Sequence, residues 1–181
     1  LDDLADGETD EDTDYELQLN GADADGDQLT FSASTDGNGS ASVEGSTLTV
    51  SPADDYNGDI IVTVIASDGQ ASASGSFTLT VNPINDIPEI ASILDQIINE
   101  DSSLTLELSA SDIDGDALTF SASNGESEII VDGTTLTITP PVDHNNLDGE
   151  LVTVSVTDGV ATVSTTFTLY ITPVNDAPSL D

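Results

Sequence analysis

Apolar residues alternate with Ser, Thr and other polar residues along most of this chain. In the first half Leu29, Phe31 and Ala33 share one face of an extended backbone. So do Leu48 and Val50, then Ile60, Val62 and Val64, then Phe77, Leu79 and Val81. A period of two belongs to the β-strand, and the polar residues between give each strand one wet face. Turn dipeptides punctuate the runs: Asp36-Gly37, Asn57-Gly58, Asp68-Gly69, Asn124-Gly125, Asp132-Gly133 and Asp158-Gly159. No stretch of useful length has helical periodicity. The pattern predicts an all-β chain with strand A near Leu4, B at 14–20, C at 28–34, D at 41–44, E at 46–51, F at 60–66 and G at 72–81.

The scheme then repeats. Leu118, Phe120 and Ala122 follow the pattern of the first half, as do Leu136 and Ile138, then Val152, Val154 and Val156, then Phe167, Leu169 and Ile171. Asp23-Ala24-Asp25-Gly26-Asp27-Gln28-Leu29-Thr30-Phe31 returns as Asp112-Ile113-Asp114-Gly115-Asp116-Ala117-Leu118-Thr119-Phe120, and Asn85-Asp86-Ile87-Pro88 as Asn175-Asp176-Ala177-Pro178. A period of about 90 residues means two copies of one small domain in a row. About seven strands in each fit a Greek-key β-sandwich. The expected domains are residues 1–88 and 89–181, joined by a linker at 83–88 that Pro83 and Pro88 make stiffer than a Gly/Ser linker.

Charge changes the picture. The chain has 36 acidic residues, one His and no Lys or Arg. Its carboxylates have no ordinary salt-bridge partners and must be spread into solvent or meet external cations. Nucleic acid is excluded as a direct partner, since phosphate neutralisation needs Lys or Arg, and anionic membrane surfaces repel the chain for the same reason. Disorder, the usual reading of high acidity, conflicts with 36% apolar residues in clean alternation. Cys is absent, so neither disulfides nor thiol chemistry enter. The chain opens without Met and reads as a piece of a longer array.

Strand parity places the loops. The B–C, D–E and F–G loops share the upstream end of a sandwich, and the A–B, C–D and E–F loops share the downstream end. The second copy's upstream end carries Asp112, Asp114 and Asp116 with Asp158. The first copy's downstream end carries Glu11, flanked by Asp10 and Asp12, with Asp54 and Asp55. The linker adds Asn85 and Asp86. Carboxylate and amide oxygens without His or Cys are the ligand set of Ca²⁺, whereas Mg²⁺ keeps its waters and Zn²⁺ favours nitrogen or sulfur. The expectation is therefore Ca²⁺ at the junction; the plainer alternative is solvated turn aspartates. An EF-hand is ruled out: Gly115 is at the fourth loop position, and Ser123 stands where a bidentate Glu is needed.

Val152-Thr153-Val154-Ser155-Val156-Thr157-Asp158-Gly159, the closing Asn-Asp-x-Pro, the Asp-x-Asp loop and the Glu between strands A and B together resemble a cadherin repeat. The resemblance is to the bacterial cadherin-like type found in tandem in large surface proteins, and it spans both copies. It implies interdomain Ca²⁺ held by Glu11, Asn85, Asp86, Asp112, Asp114 and Asp158, with Asp116 near a position where the family has Asn. Two departures, Pro83 in place of a linker Asp and Asp54-Asp55-Tyr56-Asn57-Gly58 in place of Asp-x-Glu, imply fewer ions at the junction, about one or two. Asp23, Asp25, Asp27 and Asp68 upstream, and Glu100, Asp143, Asn175 and Asp176 downstream, would be half-sites completed by neighbouring repeats.

The remaining chemistry is sparse. His144, in the second E–F loop, reads as a solvated loop residue. Phe31, Phe77, Phe120 and Phe167 read as core, while Tyr15, Tyr56 and Tyr170 do not recur at equivalent positions. Without Cys, Lys or Arg most nucleophile–base arrangements are out of reach, so no enzyme is expected. The reading is a calcium-rigidified structural and adhesive module of a bacterial surface or secreted protein. Alternatives are a Ca²⁺-dependent module binding carbohydrate or protein, and an acidic spacer that needs no metal.

Overall fold

The computed structural model describes residues 3–177, and within them every regular element is a strand. The chain divides by contact into two units, Leu1–Ile84 and Asn85–Asp181.

The first unit has seven strands: β1 (Gly7–Asp10), β2 (Tyr15–Gln18), β3 (Thr30–Thr35), β4 (Gly39–Glu44), β5 (Thr47–Pro52), β6 (Gly58–Ser67) and β7 (Ser72–Asn82). They form two sheets, β1-β7-β6-β3 and β2-β5-β4. All pairings are antiparallel except β1 with β7, where Gly7 lies opposite Leu79. The inward rows that alternation picks out are the core: Leu48, Val50, Ile60, Val62, Val64, Phe77, Leu79 and Val81 are buried, joined by Leu19. Full burial of such side chains contributes roughly 1.5–3 kcal/mol each.

The second unit has nine: β8 (Glu89–Ile90), β9 (Gln96–Asn99), β10 (Leu104–Glu107), β11 (Ala110–Ser111), β12 (Thr119–Ser123), β13 (Glu128–Asp132), β14 (Thr135–Thr139), β15 (Asn146–Thr157) and β16 (Thr162–Thr172). Sheets β12-β15-β16-β9 and β10-β14-β13 reproduce the first unit's pair, with β9 again parallel to β16. The short pair β8-β11 is additional. Leu136, Ile138, Val152, Val154, Phe167, Leu169 and Ile171 are buried at its centre.

The first strand differs from expectation. It begins at Gly7 and not near Leu4, because Asp6 Oδ1 accepts the backbone N–H of Thr78 at 2.8 Å, closing the ladder with a side chain. Leu4 still packs against the core, which is why its apolar character suggested a strand. The second unit repeats the device: Asp95 Oδ1 accepts the Thr168 N–H at 2.7 Å.

β15 carries a register irregularity between Asn146 and Glu150. Gly149 sits there at φ 87°, and a Cβ added to it would lie 2.4 Å from Thr168 Cγ2 and 3.0 Å from a Tyr170 ring carbon. Gly149→Ala is therefore expected to destabilise the chain by about 1–3 kcal/mol, from left-handed strain plus overpacking, read as a lower urea midpoint.

Candidate metal centres

In the second unit the loop between β11 and β12 folds its aspartates together. Asp112 Oδ1 accepts the backbone N–H of Asp116 at 3.1 Å, and Gly115 turns the chain at φ 77°. Asp112, Asp114 and Asp116 each bring a carboxylate oxygen within 4.8 Å of the others. Asp112 Oδ2 is buried and has no hydrogen-bond partner. Asp86 and Asn85 bind to the same end of this unit: Asp114 Oδ2 accepts the Asp86 N–H at 2.8 Å, and Asp158 Oδ2 accepts the Asn85 side-chain amide at 3.0 Å.

The β15–β16 turn is set by Asp158, whose Oδ1 takes the N–H groups of Val160 at 2.7 Å and Ala161 at 2.6 Å. The Asn85 amide first, then the Ala161 and Val160 amides, hold the Asp158 carboxyl below its ordinary range. A lowered carboxyl contributes stability above its unfolded pKa and loses it as pH falls through the folded one. Asn85→Ala should move the Asp158 titration midpoint up toward the usual carboxylate value, as followed by carboxyl-carbon NMR; an unmoved midpoint would rule the Asn85 bond out as the cause.

Glu11 in the first unit is buried, 3% exposed, at the end of β1. Its Oε1 accepts the Ile84 N–H and its Oε2 the Asn57 side-chain amide at 3.4 Å. Asp12 Oδ1 accepts the Asp55 N–H at 3.2 Å, tying the β1–β2 loop to the β5–β6 loop. Asp54 is exposed in that second loop and takes no part in these bonds. The second unit repeats the arrangement: Glu100 Oε1 accepts the Val174 N–H at 2.6 Å, Glu100 Oε2 the Asn145 amide at 3.5 Å, and Asp101 Oδ1 the Asp143 N–H at 3.1 Å. Asn175 turns its amide onto the Asp176 carbonyl.

Four aspartates here adopt left-handed backbone, the matched pairs Asp12 (φ 57°) with Asp101 (φ 59°) and Asp55 (φ 55°) with Asp143 (φ 57°). Asp tolerates that region better than most residues, at a cost of about 1–2 kcal/mol. Asp101, Asp143 and Asp176 bring carboxylate oxygens within 4.8 Å of one another. Partial withdrawal from water, then the charges of Asp143, Asp101 and Glu100, raise the Asp176 carboxyl. Asp101 is the ligand candidate that sequence reasoning omitted; the signal was the pair Glu11-Asp12 recurring as Glu100-Asp101.

The first unit's upstream loops are arranged differently. Asp23 Oδ1 is shared by the N–H groups of Asp25 at 2.8 Å and Asp27 at 3.2 Å, and the three carboxylates do not converge as their counterparts do. Asp68 Oδ1 caps Gln70 and Ala71, each at 2.6 Å; the Ala71 amide first, then that of Gln70, lower its carboxyl. Asp23 and Asp68 line one open pocket of about 190 Å³.

Two unit charges 4 Å apart repel by about 1 kcal/mol in water and about 4 kcal/mol at an effective dielectric of 20. Oxygen-only donors, an orphaned buried carboxylate oxygen and a chain with no Lys or Arg fit a hard divalent cation of the Ca²⁺ class.

Residues 2–82 match the family model described as "Cadherin-like domain", and residues 85–172 the one described as "Bacterial Ig domain". The chain is a tandem pair of bacterial cadherin-like, Ig-like domains. Its fold is shared with human protocadherin-24 EC1-2, at 17% identity and TM-score 0.54 over 90% of this chain and 88% of that one. Human mucin-like protocadherin EC1-2 gives 16% and 0.52 over 93% and 96%. Chitinase A of Pseudoalteromonas piscicida is 31% identical over 177 residues, 88% of this chain; the cadherin-like pair spans only 20% of that protein's length. Domains of this kind are typically non-catalytic.

Proposed function

We propose that this cadherin-like pair is a calcium-rigidified structural and adhesive module of a bacterial cell-surface or secreted protein. The observation that carries the reading is the gathered Asp112, Asp114 and Asp116, with Asp112 Oδ2 buried and unpartnered, in a chain that offers no Lys or Arg. Asp112, Asp114, Asp116, Asp158, Asn85 and Asp86 would hold the ion, and Glu11, with Asp54 or Asp55, would complete it from the preceding domain. A cation bound so would replace mutual repulsion with shared ligation and restrict the hinge. The half-sites at the two ends would do the same with neighbouring repeats. Small-angle scattering in EDTA, then in Ca²⁺ and in Mg²⁺, tests it. Ca²⁺ should narrow the distribution of interdomain distances; an unchanged distribution would reject the rigid module and leave a solvated spacer.

A second reading comes from the chitinase relative: the pair could serve a chitin-acting enzyme as a Ca²⁺-dependent binding module. Aromatic residues are only 4% of the chain, which leaves little for a sugar-stacking platform. Saturable retention on chitin, lost in EDTA, would favour that reading over the structural one.

A further inference from the structure

The two units share one sheet plan but differ on its outer face. Val62 lies opposite Phe77 in the first unit and Val152 opposite Phe167 in the second, so Thr80 and Tyr170 are equivalent positions. Their partners on the parallel edge strands are equivalent too: Glu8 faces Thr80, and Ile97 faces Tyr170. In the first unit this patch is polar, and the Thr80 hydroxyl donates to Asp59 Oδ1 at 3.0 Å. In the second it is aromatic and aliphatic.

The irregularity in β15 seats the aromatic ring. Register passes from Asn146–Ile171 to Glu150–Leu169, so Tyr170 alone stands against Leu147, Asp148 and Gly149. Gly149 leaves room for the ring to lie across its backbone; a Cβ there would come within 3.0 and 3.2 Å of two ring carbons. Phe167, Leu169 and Ile171 point into the core, so Tyr170 points outward, and it stays partly exposed. Around it Ile97 is 71%, Leu147 63% and Leu151 62% exposed. Exposed Asp148 and Asp95 border the patch, Asp95 being anchored through Oδ1 to the Thr168 N–H. Contiguous apolar surface with a polar rim marks an interaction site.

Charge selects the occupant. With 36 acidic residues and no Lys or Arg, this chain repels a second copy of itself and any acidic polysaccharide. A polymer of amino sugars gains from both parts of the patch. Its broad, flat pyranose faces pack on Tyr170 and the aliphatic side chains, while free ammonium groups are drawn to the ring face and to Asp95 and Asp148. We propose that this outer face of the second unit docks a partly deacetylated, chitin-type polymer. The proposal rests on the carbohydrate reading given above, but it moves the contact from the acidic loops to the sheet and therefore needs no calcium.

Retention of the full chain on partly deacetylated chitin beads, at physiological salt and with or without EDTA, tests the site. Ile97→Glu copies the first unit's Glu8 at an exposed position, so the fold is kept, and Tyr170→Ala removes the ring. The expected result is saturable retention that persists in EDTA and weakens about tenfold or more in each variant. Ile97→Glu adds negative charge, so diffuse attraction to a polycation predicts equal or tighter retention; that outcome would overturn the site. Equal weakening on poly-lysine beads would give the face to basic peptides, and self-association abolished by Ile97→Glu would give it to a second copy. Retention lost in EDTA but untouched by the variants would return binding to the calcium centres. No retention of the parent chain under either condition would sink the carbohydrate reading itself.

Discussion

Calcium added after EDTA should raise the thermal midpoint of this chain, saturably and at matched ionic strength, while Mg²⁺ does much less. Binding to the folded state alone stabilises by about 2.7 kcal/mol at a free ion concentration of one hundred dissociation constants. For domains of this size that corresponds to an increase of about 10 °C or more. Asp112→Asn is the sharpest variant. It keeps Oδ1 as acceptor for the Asp116 N–H but removes the charge at the partnerless Oδ2. In EDTA it should melt no lower than the parent, since it relieves repulsion with Asp114 and Asp116. In Ca²⁺ it should lose most of the increment. A midpoint indifferent to Ca²⁺ would return these residues to solvated turn aspartates.

Phe77→Ala should cost the first unit about 3–5 kcal/mol, the range for emptying a buried aromatic site. Phe77 is 3% exposed on β7, and its ring meets Tyr15 at a centroid separation of 6.1 Å. Against a domain stability of about 5–15 kcal/mol, that loss removes a large share. Phe167→Ala should do the same in the second unit, where that ring is 2% exposed. Phe31 and Phe120 pack at the core margin, and their loss should cost less. Urea unfolding followed by circular dichroism reads all four; a Phe77→Ala loss below about 1 kcal/mol would contradict the packing argument.

Much of this was legible beforehand because strand periodicity is local. The rows through Val62 and Val64, and through Val152 and Val154, are buried as the alternation requires. The repeat of Asp23-x-Asp25 as Asp112-x-Asp114 marked the acidic loops, and the Glu between the first two strands recurs as buried Glu11 and Glu100. Less legible were features set by partners distant in sequence. The start of β1 depends on Asp6 meeting Thr78, which no local pattern records. Asp12 reads in sequence as a flanking charge and Asp101 is not singled out there; their left-handed backbone and their bonds to Asp55 and Asp143 set both within the loop clusters. Matched motifs also concealed a difference: Asp112, Asp114 and Asp116 converge, while Asp23, Asp25 and Asp27 do not.

By itself, then, the sequence determined the all-β class, the twofold repeat, the inward rows and the oxygen-only character of the candidate ligands. Side-chain direction along a strand and the sign of a charge follow from the chain alone. Tertiary structure decided which carboxylates stand within ligand distance, which oxygen is left without a partner, and that His144 Nε2 lies 3.8 Å from the buried Glu150. Those outcomes depend on loop geometry, in which a displacement of an ångström or two separates a ligand cluster from scattered charges.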